Sequence, residues 1–408
     1  MKIAFLTLGC KLNYAETSTY ERGFKAAGYE VIPWQQKADI YLVNTCSVTA
    51  TSDSKSRNLV RKVHRVNPEA KIIVTGCSAQ LRRKEIEEIE GVTRVFGCNE
   101  KHLVVPETLG IKVTDQNETF AAYSTGERTR SFLKVQDGCS NYCKYCTVPY
   151  ARGESRNIPI CEAVRMAREI AAEGVKEIVL TGVNTGDFGR TTGESFLDLL
   201  KALDEVEGIE RYRISSIEPN LITEEIIDWI ASGTKFQPHF HIPLQTGCDE
   251  LLATMGRHYD TAFFRRKIEY IRKAMETPGK PLVFFGVDVM VGLPGETEER
   301  FRTTYDFIAD LKPAFIHVFP YSRRPGTPAA SMPGQVPEQV KAQRVAALEE
   351  LCARLHSEFA ERNKGIAERV LFESSNRDGT MEGYTGNYIR ISRPFDPALV
   401  NNLVDVIL

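Results

Sequence analysis

The chain has 408 residues, 42% of them hydrophobic and 26% charged, the proportions of a folded protein rather than a disordered tail. That length calls for two or three domains. With a formal charge of −2, no global positive field marks a nucleic-acid binder, and ten cysteines are too few for a disulfide scaffold.

The opening MKIAFLTLGCKLNYAE is too briefly apolar for a signal peptide, and Leu282–Leu293, interrupted by Asp288, is too short to span a membrane. A cytoplasmic protein without membrane contact, its thiols reduced, is therefore expected. Residues 1 to about 120 alternate strand-like runs (Lys2–Leu8, Glu30–Pro33, Ile40–Asn44, Lys71–Thr75, Arg94–Phe96) with helix-like ones (Asn13–Ala27, Ala50–Val66, Arg82–Glu90). This α/β pattern predicts a parallel sheet covered on both faces. The polar stretch Thr114–Thr129 reads as a linker.

From residue 131 to about 335 the alternation continues. Strands are expected at Phe132–Val135, Glu177–Thr181, Tyr212–Ser215, His239–Leu244, Val283–Val291 and Phe315–Pro320, with amphipathic helices such as Cys161–Ala172 and Thr297–Leu311 between them. Six βα units predict a partial (βα)6, TIM-like barrel with its chemistry at the carboxyl ends of the strands. A linking helix over 336–364 follows, and 365–408 reads as a small antiparallel β-module.

The densest chemical signal is Cys139-Ser-Asn-Tyr-Cys143-Lys-Tyr-Cys146, just after the first barrel strand. Three thiolates so close must bind metal or repel one another. Four thiolates close an ordinary Fe–S or zinc site, whereas three leave a metal position open for catalysis. The blander alternative is a zinc knuckle completed by a distant histidine. Cys10, Cys46 and Cys77 form a dispersed second set, each ending a predicted strand (FLTLGC, LVNTC, IVTGC), so that one sheet edge would gather them. Cys98, in FGCN, is a rival for the third place in that set. Cys161, Cys248 and Cys352 read as packing residues.

The CxxxCxxC spacing with Tyr145 before its last cysteine resembles the radical S-adenosylmethionine superfamily. The dispersed cysteines, with LTGVNTGDFG, RISSIEPN, HIPLQTGCDELLATMGR and GVDVMVGLPGE, resemble its methylthiotransferase branch over nearly the whole chain. GCKLNYAET is similar to the threonylcarbamoyladenosine tRNA methylthiotransferases, against GCQMN in the isopentenyladenosine enzymes and a GCxKN form in those acting on a ribosomal protein.

The resemblance implies two 4Fe–4S clusters: one on Cys139, Cys143 and Cys146 that binds S-adenosylmethionine, and an auxiliary one on Cys10, Cys46 and Cys77. Tyr145 would lie beside the adenine, Gly182 and Asn184 near the methionine end, and Val289 and Gly292 in the adenine-supporting stretch. Ser216, Glu218 and Gln245 would be further cofactor or substrate contacts. Reductive cleavage of S-adenosylmethionine to a 5′-deoxyadenosyl radical would open a C–H bond that acid–base groups cannot. The implied product is 2-methylthio-N6-threonylcarbamoyladenosine at position 37 of tRNA, beside the anticodon. Implied partners are tRNA and a low-potential electron donor such as a flavodoxin or ferredoxin, and 365–408 would be a TRAM-like small β-barrel.

Several basic groups could contact phosphate: the helix around Lys55, Arg57, Arg61, Lys62 and Arg65, then Arg82–Lys84, Arg128 with Arg130, and Arg265–Lys267. A solvated helical face explains the first equally well. The C-terminal module is acidic, so it is expected to position RNA by shape, by stacking of Tyr384 and Tyr388, or by contacting only part of the tRNA. His239-Phe-His241 places two imidazoles on one strand face, which leaves a metal-dependent barrel hydrolase or a zinc-bearing RNA-binding protein as distant alternatives.

Overall fold

The computed structural model describes residues 1–112, 119–126, 129–374 and 378–408. Five parallel strands open the chain, ordered Glu30–Val31, Lys2–Thr7, Ile40–Thr45, Lys71–Gly76, Val92–Phe96. Ile40–Thr45 is buried at every position because helices cover both faces, which is why IYLVNT reads as a continuous apolar run rather than an alternating one. The strand order reverses between Lys2–Thr7 and Ile40–Thr45, and at such a switch point a crevice opens beyond the carboxyl ends.

Helix Ala50–Val66 starts where the Thr49 hydroxyl accepts the Ser52 amide at 3.1 Å, and it buries Val60 and Val63 against the sheet. The helix expected over Arg82–Glu90 is shorter, Arg83–Glu87, and a separate one, Cys77–Leu81, precedes it, because Arg82 leaves the helical conformation (φ −128°, ψ 34°). Cys77, expected at the end of a strand, follows Lys71–Gly76 and opens the next helix.

The middle of the chain holds two parallel sheets. One contains Arg130–Lys134, Glu177–Thr181 and Arg211–Ile214, the other His239–Gln245, Phe284–Val291 and Phe315–Pro320. The six strands follow in sequence order, as the six βα units predict. Among the described residues, the strands of the two halves are linked by the isolated parallel bridges Tyr212–Phe236 and Ser216–His241. Part of the expected linker is structured: Ala122–Tyr123 adds antiparallel to Arg130–Lys134, and Thr19 Oγ1 both donates to the Tyr123 carbonyl and accepts its amide, each at 3.2 Å. The linker's positions 114–118 and 127–128, Arg128 among them, lie outside the described residues.

Helix Glu338–Arg362 lays Leu348, Leu351 and Leu355 into the central core. The chain ends in a four-stranded antiparallel sheet ordered Arg390–Pro394, Thr380–Tyr384, Ala367–Phe372, Leu403–Ile407. Among the described residues no helix is long and apolar enough to cross a membrane.

Candidate active site: two thiol clusters on one domain seam

A two-stranded ribbon, Gln136–Asp137 against Arg156–Asn157, closes the base of the Cys139–Cys146 loop. Its tight entry needs glycine: Gly138 has φ +71°, and a Cβ there would stand 2.1 Å from the Glu154 carbonyl oxygen. The loop is docked by backbone hydrogen bonds, Lys144 N–H to Met255 O (3.0 Å) and Ala329 N–H to Lys144 O (2.9 Å). Burial pushes the Cys139 thiol up to about 11 and the Cys146 thiol up to about 12, and neighbouring cysteines add to both shifts.

The loop also carries donors suited to bound thiolates. The Val148 amide donates to Cys146 Sγ at 3.4 Å and Arg257 Nη1 to Cys143 Sγ at 3.3 Å. The same guanidinium reaches Tyr145 Oη (3.4 Å), Tyr259 Oη (3.1 Å) and Glu218 Oε2 (2.5 Å). Three thiols on one loop, with a buried cation and an amide directed at them, fit a cluster that needs three protein thiolates.

The second set sits at the switch point. Cys10 precedes helix Lys11–Ala26, Cys46 follows Ile40–Thr45, and Cys77 follows Lys71–Gly76. Gly9 (φ +114°) brings the first loop onto Cys46, since a Cβ there would lie 2.9 Å from Cys46 Cβ and 3.2 Å from its Sγ. Cys46 feels both Cys77 and Cys10, although burial is the main reason its thiol is pushed up. Cys77 is pulled down, first by a hydrogen bond from Cys98 and then, against burial, by Arg152 and Lys101. A thiolate is thus favoured at Cys77, and Cys98 lies beside it as the donor. Cys248, which donates to Glu250, and Cys352, whose Sγ accepts the Ile316 amide, are buried as packing residues, whereas Cys161, expected to pack, is exposed.

A buried ion network joins the two sets. Glu16 and Asp137 meet Lys101, Lys134 and Arg152, all five at 2% side-chain exposure or less. Glu16 and Lys101 belong to the N-terminal sheet's layer, the other three to the central one. Arg152, in the turn of helix after Cys146, also donates to Asn13 Oδ1 at 2.6 Å and lies in the field of Cys10 and Cys77. Nearby, Arg324 spans Ser47 Oγ (2.8 Å) and Asp53, next to Cys46 in sequence.

Beside the seam lies a cavity of about 960 Å³ whose wall takes residues from all three layers: Cys10 and Lys11, then Arg130, Arg213, His241 and His317, then Tyr384 and Tyr388. His241 Nε2 lies 2.8 Å from Asp288 Oδ1, and its ring stacks on His317 (centroids 4.9 Å apart, planes within 10°). His239 faces the same cavity but stacks on Phe284. Burial holds His239 and His317 below the usual histidine range, and both rings are therefore neutral near pH 7. Lys11 lines the cavity, where desolvation and then Arg130 and Arg213 lower its ammonium to about 8 against the opposing pull of Asp288. Tyr384 and Tyr388 are turned inward, under the Arg130 guanidinium at 4.7 and 5.3 Å, and not outward as an RNA platform.

The remaining expected residues divide. Gly182 and Asn184 lie at the base of the cysteine loop because Gln136 Oε1 accepts the Val183 and Asn184 amides, both at 2.9 Å, while its amide nitrogen donates to the Gly138 carbonyl at 2.8 Å. Glu218 reaches the loop through Arg257, and its amide donates to Asn184 Oδ1 at 3.3 Å. Gln245 closes its strand at φ +69°, beside a register shift. The Ser216 carbonyl is taken by the Thr185 amide and hydroxyl, and Val289 is fully buried in the central core. At Gly292 the neighbour is this chain's own long helix: a Cβ there would strike Lys341 Cγ at 2.4 Å. Gln136, Arg152 and Arg257 escape the sequence reading, although MGR stands inside a quoted motif, because their partners lie far away in the chain.

Two family models match, Uncharacterized protein family UPF0004 over residues 2–97 and the Radical SAM superfamily over 133–308. The chain is 39% identical to the threonylcarbamoyladenosine tRNA methylthiotransferase MtaB of Bacillus subtilis, covering 99% of this chain and 93% of the relative. It is 30% identical to the tRNA-2-methylthio-N(6)-dimethylallyladenosine synthase of Carboxydothermus hydrogenoformans, covering 91% and 88%. In fold it is similar to the radical S-adenosylmethionine methyltransferase TsrM of Kitasatospora setae (TM-score 0.59, 15% identity, 81% and 77% covered). The likeness to tRNA methylthiotransferases runs along nearly the full chain, and the protein belongs to the methylthiotransferase family of the radical S-adenosylmethionine superfamily.

Proposed function

We propose that this enzyme methylthiolates C2 of N6-threonylcarbamoyladenosine at position 37 of tRNA. Cys139, Cys143 and Cys146 would hold the cluster that binds S-adenosylmethionine, and Cys10, Cys46 and Cys77 the auxiliary one, on a chain divided as 1–120, 131–335, 336–364 and 365–408. When bound, these groups supply one-electron C–H activation, the transferred sulfur and its methyl group. The observation that carries this reading is the cavity: one space has Cys10 on its wall, the strands of the partial barrel behind it and the C-terminal module over it.

The chain's own residues bind and orient. Arg257 donates to Cys143 Sγ and ties Glu218 and Tyr145 to the loop, so the S-adenosylmethionine site is held by one guanidinium. Gln136 fixes the Gly182–Asn184 segment against the loop base. Arg152 and its ion network hold the two layers in register across the seam, so that both cysteine sets serve one substrate. Tyr384 and Tyr388 close the cavity from the C-terminal module and exclude water. The electron is expected from a flavodoxin- or ferredoxin-like donor in the cytoplasm.

The test is nucleoside mass spectrometry after anaerobic incubation of the reconstituted enzyme with S-adenosylmethionine, dithionite and either of two tRNAs. A 2-methylthio product is expected on N6-threonylcarbamoyladenosine tRNA. Product on isopentenyladenosine tRNA alone would overturn the substrate assignment.

A further inference from the structure

The cavity wall carries a charge imbalance that radical chemistry does not require. Arg130 is paired with Glu373 (2.5 Å) and Tyr388 Oη (2.8 Å), and Arg213 with Glu177 (2.7 Å) and the carbonyls of Thr385 and Gly386 (both 2.7 Å). Arg390 lies 3.3 Å from Glu382. Lys11 differs: among the described residues, no hydrogen bond or ion pair joins its ammonium to a partner, although it stands in the field of Arg130 and Arg213. An unpartnered ammonium on a cavity wall that it shares with two other cations is free to pair with an anion that enters.

The neighbouring polar atoms fit an anion better than a metal ion. His241, Asp288 and His317 offer ligand atoms within 4.8 Å of one another, a spacing that a divalent cation could use. But the trio has one carboxylate, set against Lys11, Arg130 and Arg213. Asp288 is already engaged on His241 Nε2, where it fixes the ring's orientation. His317, stacked on that ring and lining the same cavity, presents a further polar atom to whatever enters.

We propose that Lys11, assisted by His317, binds the carboxylate of the adenosine's N6 substituent and makes the cavity selective for carboxylate-bearing adenosines. An uncharged alkenyl substituent could fill the same space but would leave the ammonium desolvated and unpaired. That is how a polar pocket rejects an apolar analogue. The inference rests on the substrate reading above and adds the residues that read the substituent.

The test uses anaerobically reconstituted enzyme and two anticodon stem-loop RNAs, one with N6-threonylcarbamoyladenosine and one with its carboxamide, compared by fluorescence anisotropy without reductant. Wild type is expected to bind the carboxylate RNA about tenfold more tightly. Lys11→Met should abolish that preference with iron content retained, and His317→Leu should reduce it. Equal binding of the two RNAs by wild type would overturn the proposal, and this comparison decides even if Lys11→Met loses iron through its neighbour Cys10. Methylthiolation of both RNAs at equal rates would also overturn it while leaving the substrate reading intact. Product on neither RNA but on an isopentenyladenosine stem-loop would overturn the substrate reading itself.

Discussion

Replacing Arg152 by methionine tests the seam. Its guanidinium lies 2.8 Å from Asp137 Oδ1, 3.3 Å from Glu16 Oε1 and 2.6 Å from Asn13 Oδ1, with 2% of its surface exposed. A unit pair at such distances attracts by about 6 kcal/mol at an effective dielectric of about 20. Much of that is cancelled by desolvation, and removing one partner of a buried pair costs about 3–5 kcal/mol. Lys101 and Lys134 remain to hold Glu16 and Asp137, so the low end, about 3 kcal/mol, is expected for Arg152→Met.

The acid limb supplies a second reading of the same network. Burial alone would push Glu16 up, but Lys101, Lys134 and Arg152 outweigh it and hold its carboxyl at about 2, against 4.5 for an ordinary glutamate. A folded pKa below the unfolded one stabilises above the unfolded value and is lost as pH falls. The loss runs from about pH 4.5 through about pH 2 and is worth about 3 kcal/mol at roughly 1.4 kcal/mol per unit. With one of its three cations gone, Glu16 should protonate at higher pH, so acid unfolding of Arg152→Met should begin earlier. Urea unfolding followed by circular dichroism across this range reads both effects. A cost below about 1 kcal/mol with an unmoved acid limb would refute the network's role.

Further outcomes are expected elsewhere in the site. Arg257→Leu should keep the iron but lower the radical-site cluster's reduction potential by about 60 mV, the equivalent of about 1.4 kcal/mol for one electron, in an EPR-monitored titration. An unchanged potential would remove the Cys143 contact from the account. Gly76→Ala should destabilise the fold by about 2 kcal/mol or more, because Gly76 has φ +102° and the added Cβ would stand 2.4 Å from the Thr45 carbonyl oxygen; thermal unfolding reads it. Cys143→Ala should abolish 5′-deoxyadenosine formation by chromatography, whereas Cys46→Ala should spare it and stop thiolation.

The sequence makes local features legible and distant ones obscure. Strands such as Ile40–Thr45 announce themselves because both faces are buried, and the eight-residue span Cys139–Cys146 carries its own spacing. Helix Ala50–Val66 spans the residues that the sequence predicts for it. Arg257 meets Cys143 across 114 residues and Arg152 meets Asn13 across 139, pairings that leave no periodic trace. Likewise His317 is invisible as a neighbour of His241 until the strands His239–Gln245, Phe284–Val291 and Phe315–Pro320 lie side by side. Ala122–Tyr123 looked like linker because two residues are too few for an alternating pattern, and only Thr19 and the strand Arg130–Lys134 make them a strand. The glycine at 292 is legible as a close approach, but not that Lys341 is what approaches.

The claim that two separate cysteine sets each hold a cluster is most directly tested by iron and sulfide analysis of the anaerobically reconstituted protein and two variants. About eight irons per chain in wild type and about four in each of Cys46→Ala and Cys143→Ala are expected if each set holds its own cubane cluster. Wild type with about four irons, all retained in Cys46→Ala, would contradict it.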